Sequence, residues 1–294
     1  MNKTITVFTP TFNRAYCLPL LYESLLRQSS KDFKWLVVDD GSSDNTKELV
    51  QSWIDERKID IEYAFKENGG MHTAHNTAYE LIDTELNVCI DSDDHMSDNA
   101  VAHILELWDA NREKGYAGIL GLNSFKDGRI VSSKKFPEGI KSGKYCRLKP
   151  DYGIIGDVKF VYKTSIIKQY PAYPVFEGEK FVPLGYTYAF IDKKYDLLFL
   201  NKVLCVVEYM EDGSTRNIYK QYYRNPKGFA YSRLQTMKCG FPLIQKFVQA
   251  VHFVAESFLG KTSIFKNNEN KILTLLAIPL GILLYGYILY LNKK

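Results

Sequence analysis

Runs of β-branched and aliphatic residues alternate with amphipathic stretches from the start of the chain. TITVF is a β-branched run, and after the loop TPTFNRAY the stretch LPLLYESLLRQ repeats Leu18, Leu21 and Leu25 at helical spacing. KWLVVDD reads as the next strand. GSSDNTKELVQSWIDE offers cap residues, Asp44 among them, ahead of Leu49, Val50, Trp53 and Ile54. IDIEYAF, HTAHNTAYELID and LNVCID continue the alternation. Strands separated by single helices imply right-handed crossovers and an α/β, doubly wound, mainly parallel sheet.

Further along, SDNAVAHILELWDANREKG predicts a helix capped by Ser97, with Val101, Ile104, Leu105 and Trp108 on one face, and YAGILGLNSF predicts another strand. Residues 128–150 read as Lys- and Gly-rich loops, and LLFLNKVLCVVEYM is strand-like. A boundary falls near 216–228, where RNIYKQYYRNPKG turns basic and aromatic. FPLIQKFVQAVHFVAESFLG then reads as helical, and residues 272–291, ILTLLAIPLGILLYGYILYL, carry no charge.

Composition narrows the function classes. The 294 residues are 46% hydrophobic and 24% charged, which excludes a disordered chain and suits one large domain or a domain with appendages. The net charge of +4 is spread along the chain, so nucleic acid is not indicated as a partner. Five cysteines, none in a CxxC pair, favour a reducing compartment and argue against a structural zinc site. MNKTITVFTP lacks the apolar core of a secretory signal, so the chemistry of the first half is expected to be cytoplasmic.

In an open doubly wound sheet, ligands bind beyond the carboxyl ends of the strands, where TPTFNR, DDGSSD and DSDD all fall. No GxGxxG follows the first strand. GIKSGKY misses the P-loop pattern in both its glycine spacing and the residue after its lysine. Carboxylates at two strand ends, without Cys or His at zinc spacing, suit Mg or Mn shared with substrate phosphates. His95 completes that shell or merely follows it, while His72 and His75 read as packing or hydrogen-bonding groups on a helix face.

VFTPTFNR, WLVVDDGSSDNT, NGGMHTAHN and CIDSDD, in that order and spacing, resemble glycosyltransferase family 2, the inverting GT-A enzymes that use nucleotide sugars, of the bacterial surface-polysaccharide type. The resemblance is strong over residues 3–125 and continues weakly to about 216. It implies a GT-A domain over 1–216, with a nucleotide-sugar half (1–125) and an acceptor half (126–216), and a helical C-terminal region over 217–294. By resemblance, Pro10, Thr11 and Phe12 line a uridine pocket on the loop that continues through Asn13 and Arg14. Asp40 receives the imino group of the base, and Asp39 supports the loop. Asn68 and Gly69 shape a loop near the sugar, and Asn76 holds it. The DxD signature falls on Asp91, Ser92 and Asp93, followed by Asp94, with Asp93 or Asp94 as the Mg or Mn ligand. Glu179 in FEGEKFVP is the first choice of catalytic base, Glu177 the second and Asp157 the third; Lys180 stands where the family usually has Asp.

The implied reaction moves a sugar from a nucleotide-diphosphate sugar, a UDP-sugar by the loop resemblance, to a glycan or lipid-linked acceptor. Two alternatives stay open: a sugar nucleotidyltransferase, although the first loop lacks that class's Gly-rich basic pattern, and a non-catalytic nucleotide-sugar-binding module. Residues 272–291 are long enough to span a hydrocarbon core of about 30 Å. Pro279, Gly281 and Gly286 interrupt them, so spanning the membrane, lying in its interface and packing as a core helix are all open. A lipid-seeking tail implies membrane association at the cytoplasmic face, with the Tyr219–Arg233 stretch near the headgroups.

Overall fold

Val7, Trp35 and Val37 point into one hydrophobic layer, and their neighbours Phe8, Leu36 and Val38 into the other. That period of two is what strands covered on both faces require. The computed structural model describes residues 3–208 and 217–293. In chain order the elements are β1 (Ile5–Thr11), α1 (Leu18–Leu26), β2 (Phe33–Asp39), α2 (Thr46–Glu56), β3 (Ile61–Phe65), α3 (Met71–Leu81), β4 (Leu86–Cys89), β5 (His95–Met96), α4 (Ala100–Asp109) and β6 (Gly118–Ser124). There follow β7 (Ser142–Gly143), a 3-10 turn (Tyr145–Arg147), α5 (Leu148–Tyr152), β8 (Val158–Lys163), α6 (Thr164–Ile167), α7 (Gly185–Ile191) and β9 (Leu197–Val206). The C-terminal helices are α8 (Ile218–Arg224), α9 (Pro226–Met237), α10 (Leu243–Leu259) and α11 (Lys271–Asn292).

Two units form. One comprises Met1–Pro171 with Tyr195–Tyr209, the other Ala172–Lys194 with Met210–Lys294. In the first, the strand order among described residues is β3-β2-β1-β4-β8-β6-β9-β5, with β7 beside β9. β3, β2, β1 and β4 are mutually parallel, β8 runs antiparallel between β4 and β6, and β6 and β9 are parallel again. This is the doubly wound, mainly parallel sheet expected from the sequence. α1, α2 and α4 cover one face through Leu18, Leu21, Leu25, Val50, Trp53, Ile104 and Trp108. α3 covers the other with Ala74 and Ala78 against Phe8, Leu36 and Val38.

Three local expectations change. Ser97 does not cap α4, because its hydroxyl donates to Val203 O; the Val101 amide is met by Gln28 Oε1 at 3.1 Å instead. Residues 128–150 are not all loop, since β7, the 3-10 turn and the start of α5 lie there. The expected boundary at 216 lies outside the described residues, as do Tyr209 and Met210 of the strand-like run.

The second unit is helical. Ala230, Leu234 and Met237 of α9, Ala250, Phe253 and Val254 of α10, and Ala277 of α11 make its core. Residues 172–194, which the resemblance assigned to the GT-A domain, pack here. A Cβ added at Gly228 of α9 would lie 2.2 Å from Phe181 O, so the two backbones touch.

Tyr22, Trp35 and Trp53 stack in the first unit, with Tyr22 and Trp53 ring centroids 4.4 Å apart. Trp53→Ala empties the centre of that stack and is expected to cost about 3–5 kcal/mol. Urea unfolding of the full chain measures it.

Candidate active site

Parallel register brings the chemistry-bearing loops to one end of the sheet. Thr11 is level with Asp39, Asp39 with Phe65, and Phe8 with Cys89. The first two loops are laced together by their own polar groups. Asn13, at φ 53, accepts the Ser43 amide at 2.7 Å through Oδ1 and donates its own amide to Ser42 Oγ at 2.8 Å. Asp44 accepts the amides of Ala15 and Thr46, fixing both the first loop and the start of α2. Asn13 is thereby committed to loop structure, and the Arg14 guanidinium reaches the Tyr16 hydroxyl. Facing outward are Phe12, 45% exposed, and the half-buried Pro10. Thr11 Oγ1 is buried without a hydrogen-bond partner. Such a hydroxyl is costly unless a ligand pairs it.

Asp39 and Asp40 are both buried and hold the loops around them. Asp39 accepts the Ser42 amide at 2.7 Å and the Tyr63 hydroxyl at 2.6 Å. Asp40 Oδ1 meets Lys66 Nζ at 2.6 Å and the Gly69 amide at 3.0 Å, while Oδ2 accepts the Gly70 amide at 2.7 Å and Asn68 Nδ2 at 3.1 Å. A carboxylate offers about four lone-pair sites, so these donors fill it. Asp40 thus closes the amino end of α3, and Asn68 and Gly69 join it. Gly41 makes the approach possible: its φ is +84°, and an added Cβ would sit 2.8 Å from the Asn68 amide nitrogen. Asn76 is half-buried on α3. His72 and His75 are buried there too, and burial lowers each to about 4, so both are neutral. His75 packs edge-on against Phe8.

Beyond β4 the acids separate by direction. Asp91 is exposed and Asp93 half-buried, but Asp94 is 7% exposed. Asp94 Oδ1 accepts the Glu208 amide at 3.1 Å, and Oδ2 accepts the Cys205 thiol at 3.5 Å. Burial, opposed by Lys159 and reinforced by Asp91, pushes the Asp94 carboxyl up to about 7. His95 lies in β5, paired with Val206. Nothing in VKFVYK sets Lys159 of β8 apart from Lys163 of the same strand. The Lys159 ammonium donates to Cys89 O at 3.3 Å. Burial lowers its pKa, but the negative charge that the surrounding Cys205, Asp94, Asp91 and Cys89 can carry outweighs that, so it stays charged. Asp157 is within Coulomb range of Lys159 and Asp91.

Among the described residues no group of three or more His, Cys, Asp or Glu side chains converges as a metal cage. A Mg or Mn ion shared with a diphosphate needs only one or two protein carboxylates. Asp93 and Asp91 fit that demand, whereas Asp94 is turned inward with both oxygens engaged. In the second unit Glu179 is likewise committed: Oε1 accepts the Lys227 amide at 3.0 Å and Oε2 the Gly228 amide at 2.8 Å, at the first turn of α9. Glu177 is exposed and has no described partner.

The profile of Glycosyl transferase family 2 matches residues 6–170, more than half of the chain, from the second residue of β1 through β8. The chain belongs to glycosyltransferase family 2. Among curated proteins it is similar to a teichoic acid poly(glycerol phosphate) polymerase of Staphylococcus epidermidis, 24% identical over 234 residues, 69% of this chain but only 32% of that protein. Among solved structures it resembles S. aureus TarS 1–349 in complex with UDP-GlcNAc, with a TM-score of 0.60 at 16% identity, over 95% of this chain and 80% of that one. A second is a mannosyltransferase of Pyrobaculum calidifontis in complex with GDP-Man and Mn2+, with a TM-score of 0.57 at 16% identity, over 100% and 84%. Identities this low show a shared GT-A fold.

In this family member the inward acid leaves a measurable trace. Unfolded, Asp94 titrates near 3.9; folded, it titrates at about 7. Between those values the folded chain holds the extra proton, so stability from this group is full below the lower value and is lost as pH rises through the upper one. With metal chelated, Asp94→Asn is expected to flatten the stability curve between about pH 4 and 7 and to be at least as stable as wild type near pH 8. Urea titrations across pH measure both.

Proposed function

We propose that this chain transfers a sugar from a UDP-sugar, with inversion, to a glycan or lipid-linked acceptor in surface-polymer synthesis, working at the cytoplasmic face of the cell membrane. One observation carries the donor site: the unpartnered Thr11 hydroxyl and the exposed Phe12 ring leave β1 beside the strand whose end bears Asp91 and Asp93. A hydroxyl and a stacking ring suit a nucleoside, and carboxylates next to them suit the cation of its diphosphate. The named activity of the S. epidermidis relative supports polymer synthesis, the UDP-GlcNAc complex of TarS 1–349 supports the donor class, and the Mn2+ held with GDP-Man by the P. calidifontis mannosyltransferase supports the metal.

In the reaction Thr11 and Phe12 orient the nucleoside. Asp40 keeps the loop through Asn68 and Gly69 in shape rather than reading the base. Asp93 and Asp91 would hold Mg or Mn, which when bound stabilises charge developing on the departing diphosphate. A carboxylate takes the proton of the acceptor hydroxyl; of the two glutamates that the resemblance offers, Glu179 before Glu177, Glu179 already has both oxygens on amides of α9, which favours Glu177.

Incubating the full chain with a panel of nucleotide sugars is expected to release UDP from a UDP-sugar, dependent on divalent cation and lowered at least about 100-fold by Asp93→Asn. Turnover confined to GDP- or dTDP-sugars would overturn the donor assignment. A requirement for sugar phosphate and nucleoside triphosphate would make the chain a nucleotidyltransferase, and binding without turnover a binding module.

The two glutamates are separable. Glu177→Gln is expected to lower turnover by about 10²–10⁴ with an unchanged melting temperature. Glu179→Gln is expected to lose about 1–3 kcal/mol of stability, because one of two buried amides is left poorly paired. The reverse pattern in single-turnover rates and melts returns the base to Glu179.

A further inference from the structure

α11 is long and apolar enough to cross a membrane, with a mean hydropathy of 2.3. Its packing points to a different disposition. Thr274, Ala277, Gly281 and Ile288 are buried along one side, and a Cβ at Gly281 would fall 2.5 Å from Val254 of α10. Both ends are tied down. Asn268 donates to Thr274 Oγ1 at 2.8 Å near the start, and Asn292 Nδ2 donates to Tyr219 O at 3.3 Å near the end, where Tyr219 and Tyr287 also meet edge to face. α10 itself cannot follow α11 into hydrocarbon. It carries Lys246 and His252, and its buried Glu256 faces Arg233 of α9 at 3.4 Å.

The opposite side of α11 is exposed and apolar along the whole helix: Ile272 (79%), Leu276 (65%), Leu283 (69%) and Tyr290 (59%) recur at helical spacing. Leu243 and Ile244 of α10 are exposed as well, at 71% each. No acidic residue lies within α11, while Lys271 opens it and Lys293 follows it. A stripe this long exceeds what scattered surface apolar residues amount to, and its flanking cations complement an anionic surface.

We infer that α11 lies in the plane of an anionic bilayer surface, its exposed stripe sunk to headgroup and upper acyl depth while its Gly281 side stays on α10, so that the second unit is a monotopic docking face and not a transmembrane anchor. This rests on the membrane location proposed above and specifies how it is achieved.

The test uses the full chain with vesicles of phosphatidylglycerol and phosphatidylcholine. The three native tryptophans are buried in the first unit. Tryptophan is therefore introduced singly as Ile272→Trp, Leu276→Trp, Leu283→Trp and Tyr290→Trp, and quenched by lipids brominated at shallow or deep chain positions. In-plane binding is expected to give the same shallow depth at all four sites. Leu276→Asp with Leu283→Asp is expected to weaken vesicle binding more than tenfold, leaving folding and sugar transfer to a soluble acceptor, read as UDP release, unchanged. A depth profile deep at Leu283 and shallow at Ile272 and Tyr290 would show a crossing helix, overturning this inference while the membrane location stands. No vesicle binding, with concentration-dependent dimers abolished by the same two aspartates, would make the stripe a contact between copies and overturn the location as well. UDP release separates either outcome from failure of the transferase reading.

Discussion

A buried carboxylate must be surrounded by donors, and Asp40 imposes that demand on the whole donor end of the sheet. An unpaired charge there would cost several kcal/mol. Lys66, Asn68, Gly69 and Gly70 converge on it from one short segment, so the connection from β3 to α3 has little freedom left. The Asp40 amide also donates to Thr11 O at 2.8 Å, which joins the end of β1 to the same knot. The loop after β1, the end of β2 and the start of α3 are thus one mechanical piece. A rigid piece of this kind suits a donor pocket, which has to be formed before the sugar arrives.

The acids beyond β4 divide the labour differently. Asp94 uses its charge inward, tying β5 to the end of β9, and Lys159 supplies the compensating cation from β8. Asp91 and Asp93 remain on the outer side of that arrangement. Three neighbouring aspartates therefore differ in burial, one turned inward and two toward solvent, and the buried ammonium lowers the cost of holding them close together.

The first ninety residues were legible because β1, β2 and β4 are apolar runs ending in their own polar loops and α1 and α2 carry apolar stripes, whereas the two-residue β5 has no run to announce it. What stayed hidden depends on partners far away in sequence. Ser97 has the chemistry of a cap, but its hydroxyl is claimed by a carbonyl 106 residues on. Nothing in DSDD tells which acid turns inward, since that is decided by Cys205 and Glu208, brought alongside by the β5–β9 pair. Glu179 and Glu177 look alike in FEGEKFVP until α9 presents two free amides to one of them. The hydropathy of 272–291 reports an appetite for apolar surroundings; only the contact of Gly281 with Val254 shows that one side of the helix is already satisfied.

The placement of β9 bears on how the chain is made. β9 is the last strand of the first unit to be synthesised, yet it lies inside the sheet between β6 and β5. While Ala172–Lys194 is being translated, the nascent first unit therefore has β6 with an open edge and β5 with no strand to join. Open edges recruit foreign strands. The β6 edge is covered only when residues 197–206 pair with it.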